Sequence, residues 1–347
     1  TLKALTAPGT LFMAVVKADG YGHGAVEVAK AALAAGADRL GVATVPEAVH
    51  LRDAGISAPI HVLSEPPDTT VAAIIDGDII PTVTTRMFAG ALGREAAARG
   101  VIARFHLKVD TGMNRIGIRA EDAAQFAAML VEFPGLSMEG VFTHFATADV
   151  PGDWDAARQL KRFQAAVDEM RTERVDPGIM HAANSPATIL MPESHLSMVR
   201  CGIALYGLHP AEATYGLVDL RPAMSVHARA SLVKQIGMGE GVSYGLTWHA
   251  GSSATIATLP LGYADGVHRT LSNGFDVLCH GARMQQVGRV CMDQFMVEVP
   301  RGASVERGDE FVLVGEQGSE AATMDALAAA AGTINYELAC SFGMRLE

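Results

Sequence analysis

"LFMAVVKADGYGHGAVEVAKAALAAGA", residues 11–37, reads as one complete strand–loop–helix unit. An apolar run leads to Lys17. Gly20, Gly22 and Gly24 then break any regular structure around Tyr21 and His23, and an alanine-rich stretch with helical spacing follows. The same texture recurs along the chain. "RLGVAT" (39–44) reads as a strand and "VPEAVHLRDAG" (45–55) as a helix ending at Gly55. "PIHVLS", "DIIPTV", "VIARFHLKVD", "LSMEGVFTHFA", "GIMHAANS" and "MVRCGIALYG" complete eight strand candidates between Leu11 and Gly207, separated by helices or helix-length spacers. In "DWDAARQLKRFQAAVDEMR", Trp154, Ala157, Leu160, Phe163, Val167 and Met170 recur at helical spacing and are expected on one buried face. Repeated β-α units imply a parallel sheet, and eight of them fit a TIM-type (β/α)8 barrel. An open doubly wound sheet is the alternative, but no G-x-G-x-x-G follows a strand.

Past Leu220 the helical spacing fades. "SVHARASLV", "SATIATLPLG", "FDVLCHG", "RMQQVGRVCMDQFMVEVP" and "DEFVLVG" are β-rich and separated by turn residues, with "TMDALAAAAG" as one short helix. The expected organisation is α/β plus β: a barrel over residues 1–220 and a mainly β domain over 221–347.

Composition narrows the partners. The 347 residues are 49% hydrophobic and carry a formal net charge of −11, which disfavours nucleic acid as a partner. No 18-residue apolar run suggests a membrane span, and "TLKALTAPGTL" lacks the layout of a secretory leader. Cys201, Cys279, Cys291 and Cys340 form no C-x-x-C pair and read as free thiols of a reducing, cytoplasmic compartment. The twelve histidines show no H-E-x-x-H pattern, so no metal centre is expected.

In a barrel, chemistry collects where the strands end. The first strand ends at Lys17. The fifth offers Lys108, Asp110 and Arg115, and the sixth Thr143 and His144. The seventh gives His181, Asn184 and Ser185, and the eighth Arg200, Gly202 and Ile203. Any one of these, alone, is more simply a solvated cation or a satisfied structural histidine; their shared rim is what points to a site. A lysine desolvated among cations in a barrel mouth is suited to form a Schiff base with an aldehyde. Ser185, Gly202 and nearby backbone N–H groups lie on late loops, where barrels bind phosphate. An aldehyde-binding lysine and a phosphate cradle together suggest pyridoxal 5'-phosphate (PLP). Taken alone, "CGIALYG" is equally a close-packed strand.

"AVVKADGYGHG", "HLKVDTGMNRIG", "THFATAD", "HAANSPA", "VRCGIALYG", "VSYGLTW", "GYADG", "GRVCMDQ" and "TINYE" resemble, in order and across both proposed domains, the motifs of the alanine racemases. The resemblance implies a PLP barrel followed by a β domain, acting as a head-to-tail homodimer whose active sites are shared between subunits. It implies that Lys17 binds PLP and serves as one base for interconverting L- and D-alanine. Tyr244, delivered by the partner subunit, is the opposite base. Tyr21, Ser185, Gly202, Ile203 and Tyr336 would hold the phosphate, with Asn184 beside them. Arg200 would face the pyridine nitrogen, oriented by His181 and His144. Arg115, with Met292 and Asp293 of the partner, would meet the substrate carboxylate. Lys108 matches a lysine carried as a carbamate. Asp149, Tyr263, Arg269, Arg289 and Ile334 match the substrate's access path, whose narrowness favours alanine. D-alanine for peptidoglycan is the implied use. Members usually carry a further strand with a pattern like W-x-E-I-D-L before the lysine motif, whereas sixteen residues precede Lys17 here; the end at "CSFGMRLE" is slightly short of the family pattern. The rival readings are a serine or broad-specificity racemase on the same scaffold, a non-catalytic PLP-binding protein, and a barrel-type PLP decarboxylase. The β-rich half argues against the second. Arg200, where a decarboxylase presents an acid, argues against the third.

Overall fold

The computed structural model describes residues 1–150, 152–343 and 345–346. Met344 and Glu347 of the terminal "CSFGMRLE" stretch, and Pro151, lie outside them. The chain divides into two compact units, Thr1–Arg221 and Pro222–Glu347.

In the first unit eight parallel strands follow one another: β1 (Leu11–Val15), β2 (Arg39–Val42), β3 (Ile60–Val62), β4 (Ile79–Val83), β5 (Ala103–Asp110), β6 (Leu136–Phe142), β7 (Ile179–His181) and β8 (Met198–Cys201). Their order in the sheet is 7-6-5-4-3-2-1-8. The two ends approach each other through the bonds Ser197 N–H to Met180 O and Arg200 N–H to Ala183 O, both 3.0 Å, so the barrel is nearly closed. A short strand, Ile118–Arg119, adds to the end of β5. β1 to β4 are short and mostly apolar because a parallel sheet is covered on both faces, while β5 to β8 carry the polar residues of the barrel interior and rim. Phe12, Ala14, Leu40, Val42, Ile60, Val62, Leu107, Val109 and Val141 share one core.

The helices earn their places by small residues and caps. Ala25–Ala34 buries Ala25, Ala29 and Ala32 at helical spacing. Val45–Asp53 starts with a capping box between Thr44 and Glu47. The long helix Trp154–Thr172 buries Ala156, Gln159, Leu160, Phe163, Val167 and Met170. The expected face is corrected at its start. Ala156, not Ala157, faces inward, and Trp154 is 66% exposed with the Arg158 guanidinium 5.2 Å from its ring.

The second unit is an antiparallel sheet. Its order is Val226–Arg229, Glu310–Gln317, Asp276–Cys279, Ala282–Val287, Phe295–Val299, Ala254–Leu259 and Leu232–Ile236. "SVHARASLV" is therefore two strands at opposite ends of the sheet. Residues 283–300 are likewise two strands, separated by an irregular loop at 288–294. Two helices, Met324–Ala331 and Asn335–Ser341, stand where one was expected; "TINYE" opens the second. Among the described residues no helix is long and apolar enough to cross a membrane.

Candidate active site

β1 stops at Val15, and Lys17 opens a turn in which Ala18, Asp19, Gly20 and Tyr21 all take left-handed backbone conformations, φ 50–63°. Only Gly20 takes this without steric cost, so the turn needs external support. Glu47 supplies it: one carboxylate oxygen accepts the Ala18 N–H at 2.8 Å, the other accepts Ala43 N–H and Thr44 N–H. Asp19 accepts the Ala25 N–H at 2.8 Å and so starts the next helix. The sequence signal for Glu47 was the T-x-x-E capping box, whose second function is to brace the Lys17 turn.

Tyr21 is buried against Tyr206, ring centres 4.9 Å apart, and Tyr206 donates to Val15 O at 2.9 Å. The Tyr21 phenol oxygen lies only 2.5 Å from where a Cβ on Gly202 would sit, so only glycine fits. Buried Ser185 accepts the N–H groups of Gly202 (2.9 Å) and Ala204 (3.4 Å), which leaves its hydroxyl hydrogen to donate. Asn184 caps the helix Ser185–Leu190 through Ala187 N–H. Ile203 is buried beside Gly202. A phenol, a serine hydroxyl and backbone N–H groups around a side-chain-free glycine form a cradle suited to a phosphate. The donor set fits PLP, with Lys17 on the same rim as its amine partner.

Arg200 is buried at the end of β8, with one Nη on His181 Nδ1 (2.9 Å). The other Nη meets Thr143 O (2.8 Å), Ala182 O (2.9 Å) and His144 Nδ1 (3.2 Å). Its Nε–H is engaged by none of these. Burial lowers its pKa to about 9, which still leaves it charged at neutral pH. Burial, then the Arg200 charge, holds His144 well below its ordinary value and therefore neutral.

From Arg200 a chain of bonds crosses the barrel interior, and its direction is fixed. A guanidinium can only donate, so His181 Nδ1 accepts. His181 Nε2–H must then donate to His106 Nδ1, at 2.7 Å, and His106 Nε2–H to Glu139, at 3.0 Å. Both rings are thus neutral and of one tautomer. Burial favours that state most, the neighbouring cations next for His181. Glu139 closes the chain as an anion held by Arg39 (2.7 and 3.1 Å) and Arg104 (3.1 Å). Burial alone would raise its pKa, but the His106 and Arg39 bonds outweigh this and push it far below the usual carboxylate range. Gly140 makes the room: a Cβ there would lie 2.7 Å from the His106 ring and 2.5 Å from Ile179 O.

His61 stands beside this chain. Its Nε2 bonds Thr82 at 3.1 Å while its buried Nδ1 has no partner. The ring nitrogens of His61, His106 and His181 lie within 4.8 Å of one another, a spacing open to a metal ion. However, the facing nitrogens of His106 and His181 are spent on each other, and Arg200 and Lys108 place positive charge alongside. The sequence reading found His181 and Arg200 but missed His61, His106 and Glu139. His61 is a single polar residue within an apolar strand, while His106 and Glu139 stand among other polar residues in "ARFHLKVD" and "LSMEGVF", with nothing local to mark them out.

Lys108 is buried at the end of β5, 5.2 Å from the Phe142 ring centre. Burial, then Arg200 and Arg115, lowers its pKa to about 7, so a large fraction is neutral amine at physiological pH. Arg115 is exposed on the following loop, where Asp110 accepts Gly112 and Asn114 N–H at 3.0 Å each. Asp149 is exposed after β6.

The remaining candidates lie on the second unit. Tyr244 is 72% exposed in the turn Tyr244–Leu246. Met292 and Asp293 are exposed on the 288–294 loop; Arg345 pairs with Asp293 at 2.8 Å and with buried Asp265 at 3.2 Å. Exposed Tyr263 bonds Cys291 O through its N–H at 3.0 Å, which ties it to Met292's segment. Arg289 is half-buried under Gly245, while Arg269 is exposed on a separate turn. Exposed Ile334 precedes half-buried Tyr336 in the last helix.

Comparison with known proteins adds an independent line. The description "Alanine racemase, N-terminal domain" matches residues 1–210, and "Alanine racemase, C-terminal domain" matches 223–347. An alanine racemase of Desulfovibrio desulfuricans is 44% identical over 99% of this chain and 92% of its own length. The alanine racemase of Bacillus anthracis with bound L-Ala-P superposes with a TM-score of 0.93 at 38% identity, covering 99% of this chain and 89% of that one. The alanine racemase of Bartonella henselae with covalently bound pyridoxal phosphate gives 0.90 at 26% identity, over 100% and 94%.

Proposed function

The chain belongs to the alanine racemase family, and from that premise we propose how its own residues divide the work. The activity is PLP-dependent interconversion of L- and D-alanine. When bound, PLP supplies an electron sink that makes the Cα–H of an attached amino acid acidic.

Lys17 binds the cofactor. Tyr21, Ser185, Gly202 and Ile203 hold its phosphate, with Tyr336 reaching the same group and Asn184 fixing the helix that carries Ser185. Arg200 meets the pyridine nitrogen as a donor that keeps its own proton. The observation that carries this is the Arg200 chain. Its fixed polarity through His181 and His106 to Glu139 holds the guanidinium charged and pointed. A carboxylate at that place would instead strengthen the sink and favour decarboxylation or transamination chemistry. The relatives and structures described give no support to the serine-specific, broad-specificity or non-catalytic readings.

Racemisation needs a proton taken from one face of Cα and one returned to the other. Lys17 serves one face. Tyr244, supplied by a second copy of the chain in a homodimer with shared sites, serves the other and takes the α-proton of L-alanine. A phenol is a poor base at neutral pH. Neutral His144, whose Nδ1 accepts from Arg200, keeps its hydrogen on Nε2 and would donate it to the phenol oxygen, which favours the phenolate form. Arg115, with Met292 and Asp293 of the second copy, receives the carboxylate. Lys108, as a neutral amine, adds carbon dioxide at Nζ, releases a proton to solvent and becomes an anionic carbamate that pairs with Arg115. Asp149, Tyr263, Arg269, Arg289 and Ile334 line the access path. The protein acts in the cytoplasm and supplies D-alanine for peptidoglycan. The barrel extends over residues 1–220 and the β domain over 221–347.

Two variants test the assignment in the holoenzyme. Lys17→Ala loses both covalent cofactor binding and racemisation. Tyr244→Phe keeps the cofactor and loses about 10²-fold or more in kcat/KM. Undiminished racemisation by Tyr244→Phe overturns the two-base assignment.

A further inference from the structure

Ser243, immediately before Tyr244, has φ 67° and ψ −174°. That region is open to glycine and costly for any residue with a Cβ. A glycine would be relaxed here, yet the chain carries serine, so its side chain must contribute something that outweighs the strain.

The hydroxyl donates to Arg289 O at 2.7 Å and lies 3.3 Å from Cys291 Sγ. The hydroxyl hydrogen is spent on the carbonyl, and the Cys291 thiol can direct its own hydrogen to Ser243 Oγ or to Arg289 O, 3.6 Å away. The two loops run in direct contact. A Cβ on Gly288 would sit 2.6 Å from Val242 O and 3.0 Å from Ser243 Cβ, and one on Gly245 would sit 3.3 Å from the Arg289 guanidinium. Beyond Cys291, Gly262 packs against the carbonyls of Cys291 and Met292, and the N–H groups of Tyr263 and Ala264 bond those carbonyls at 3.0 Å each. Tyr244, Tyr263 and Met292 are all exposed and all stand on these joined segments.

We infer that Ser243 is a positioning residue, whose strained backbone and hydroxyl clamp hold the Tyr244 turn and the Arg289–Met292 segment as one block. This rests on the reading of Tyr244 as a proton carrier. Among the described residues the turn is also steadied by the Gly241–Val242 pairing with Trp248–His249, by Leu246 N–H to Ser243 O at 3.1 Å and by Asn273 Nδ2–H to Thr247 Oγ1 at 3.1 Å, but of these only the Asn273 bond comes from outside the turn's own hairpin. Release of the clamp lets Ser243 relax to an ordinary extended conformation, which swings the phenol away from any fixed target. A misplacement of about 1 Å at a reacting group costs up to about a hundredfold in rate.

The test compares Ser243→Gly, Ser243→Ala and Tyr244→Phe as holoenzymes. Ser243→Gly removes the strain and the clamp together. It is expected to melt no lower than the parent while kcat/KM falls about tenfold to a hundredfold. Ser243→Ala lacks the clamp and still carries a Cβ, so its turn should leave the strained conformation, and the variant should melt lower for the lost bond to Arg289 O and lose a similar rate. The isotope effect gives the directional signature. If the Tyr244 transfer becomes limiting, the α-deuterium effect on kcat/KM rises from L-alanine and falls from D-alanine, as it should for Tyr244→Phe. Unchanged isotope effects in Ser243→Gly, with Tyr244→Phe impaired, overturn the inference alone. A lower melting temperature with unchanged isotope effects makes Ser243 a residue of the fold and also overturns it. An unimpaired Tyr244→Phe removes the proton-carrier reading and the inference with it.

Discussion

Glu139→Gln isolates the charge at the end of the Arg200 chain. The amide keeps an oxygen to accept from His106 but no longer neutralises Arg39 and Arg104. The Arg39 and Glu139 side chains are only 12% and 15% exposed, so the loss leaves an uncompensated guanidinium in a mostly dry place. Breaking a buried pair from one side costs about 3–5 kcal/mol, and the residual exposure here brings that to about 2–4 kcal/mol. For a domain of this size the midpoint falls by about 5–15 °C. The sign with pH follows from Glu139's depressed folded pKa. Its contribution is fully present above the unfolded value of about 4.3 and is lost as pH falls towards the folded one. Between pH 5 and pH 3 the gap between parent and variant should shrink by about 2 kcal/mol. Denaturant midpoints of both proteins at pH 7, 5 and 3 measure this. A gap that is absent at pH 7, or constant down to pH 3, refutes the account of the chain as anchored by a carboxylate.

Gly202→Ala places a methyl group against the Tyr21 phenol and should weaken PLP binding at least tenfold, read by fluorescence on reconstituting the apoprotein. Lys108, with its pKa lowered to about 7, makes the unfolded chain the better proton binder between about pH 7 and pH 10. Stability should therefore rise with pH across that window, and Lys108→Met should flatten the rise in pH-dependent melts. In ¹³C-bicarbonate the parent should show a carbamate carbon signal that Lys108→Met lacks. Cys201, whose thiol burial pushes up to about 12, and Cys279, pushed to about 11, should resist alkylation in the native protein and react only on unfolding, as mass spectrometry of the labelled protein would show.

The barrel was legible because each β-α unit repeats one local texture, and the Lys17 turn because its glycines punctuate it. Residues at strand ends were legible for the same reason: the topology alone brings them to one rim. What crosses the barrel interior was not. His61, His106 and Glu139 lie on three different strands, and only the closed sheet brings their side chains together. Gly140 beside Glu139 carried the one local trace, the absence of a Cβ that His106 would meet. The start of the helix Trp154–Thr172 misled because periodicity does not fix the register of a first turn, and Arg158 lets Trp154 stay in solvent. The two-strand division of 225–233 was hidden because a chain leaving one sheet edge for the other keeps its β-rich composition. Ser243's backbone angle leaves no mark in "VSYG".

The most direct measurement follows the Cα–H of L-alanine in deuterated water with the PLP-loaded enzyme, together with the chirality of the product. Deuterated D-alanine accumulating towards an equal mixture is the expected result, since a proton donor on each face delivers it. Exchange with retained L configuration, or no exchange with PLP bound, would contradict the account.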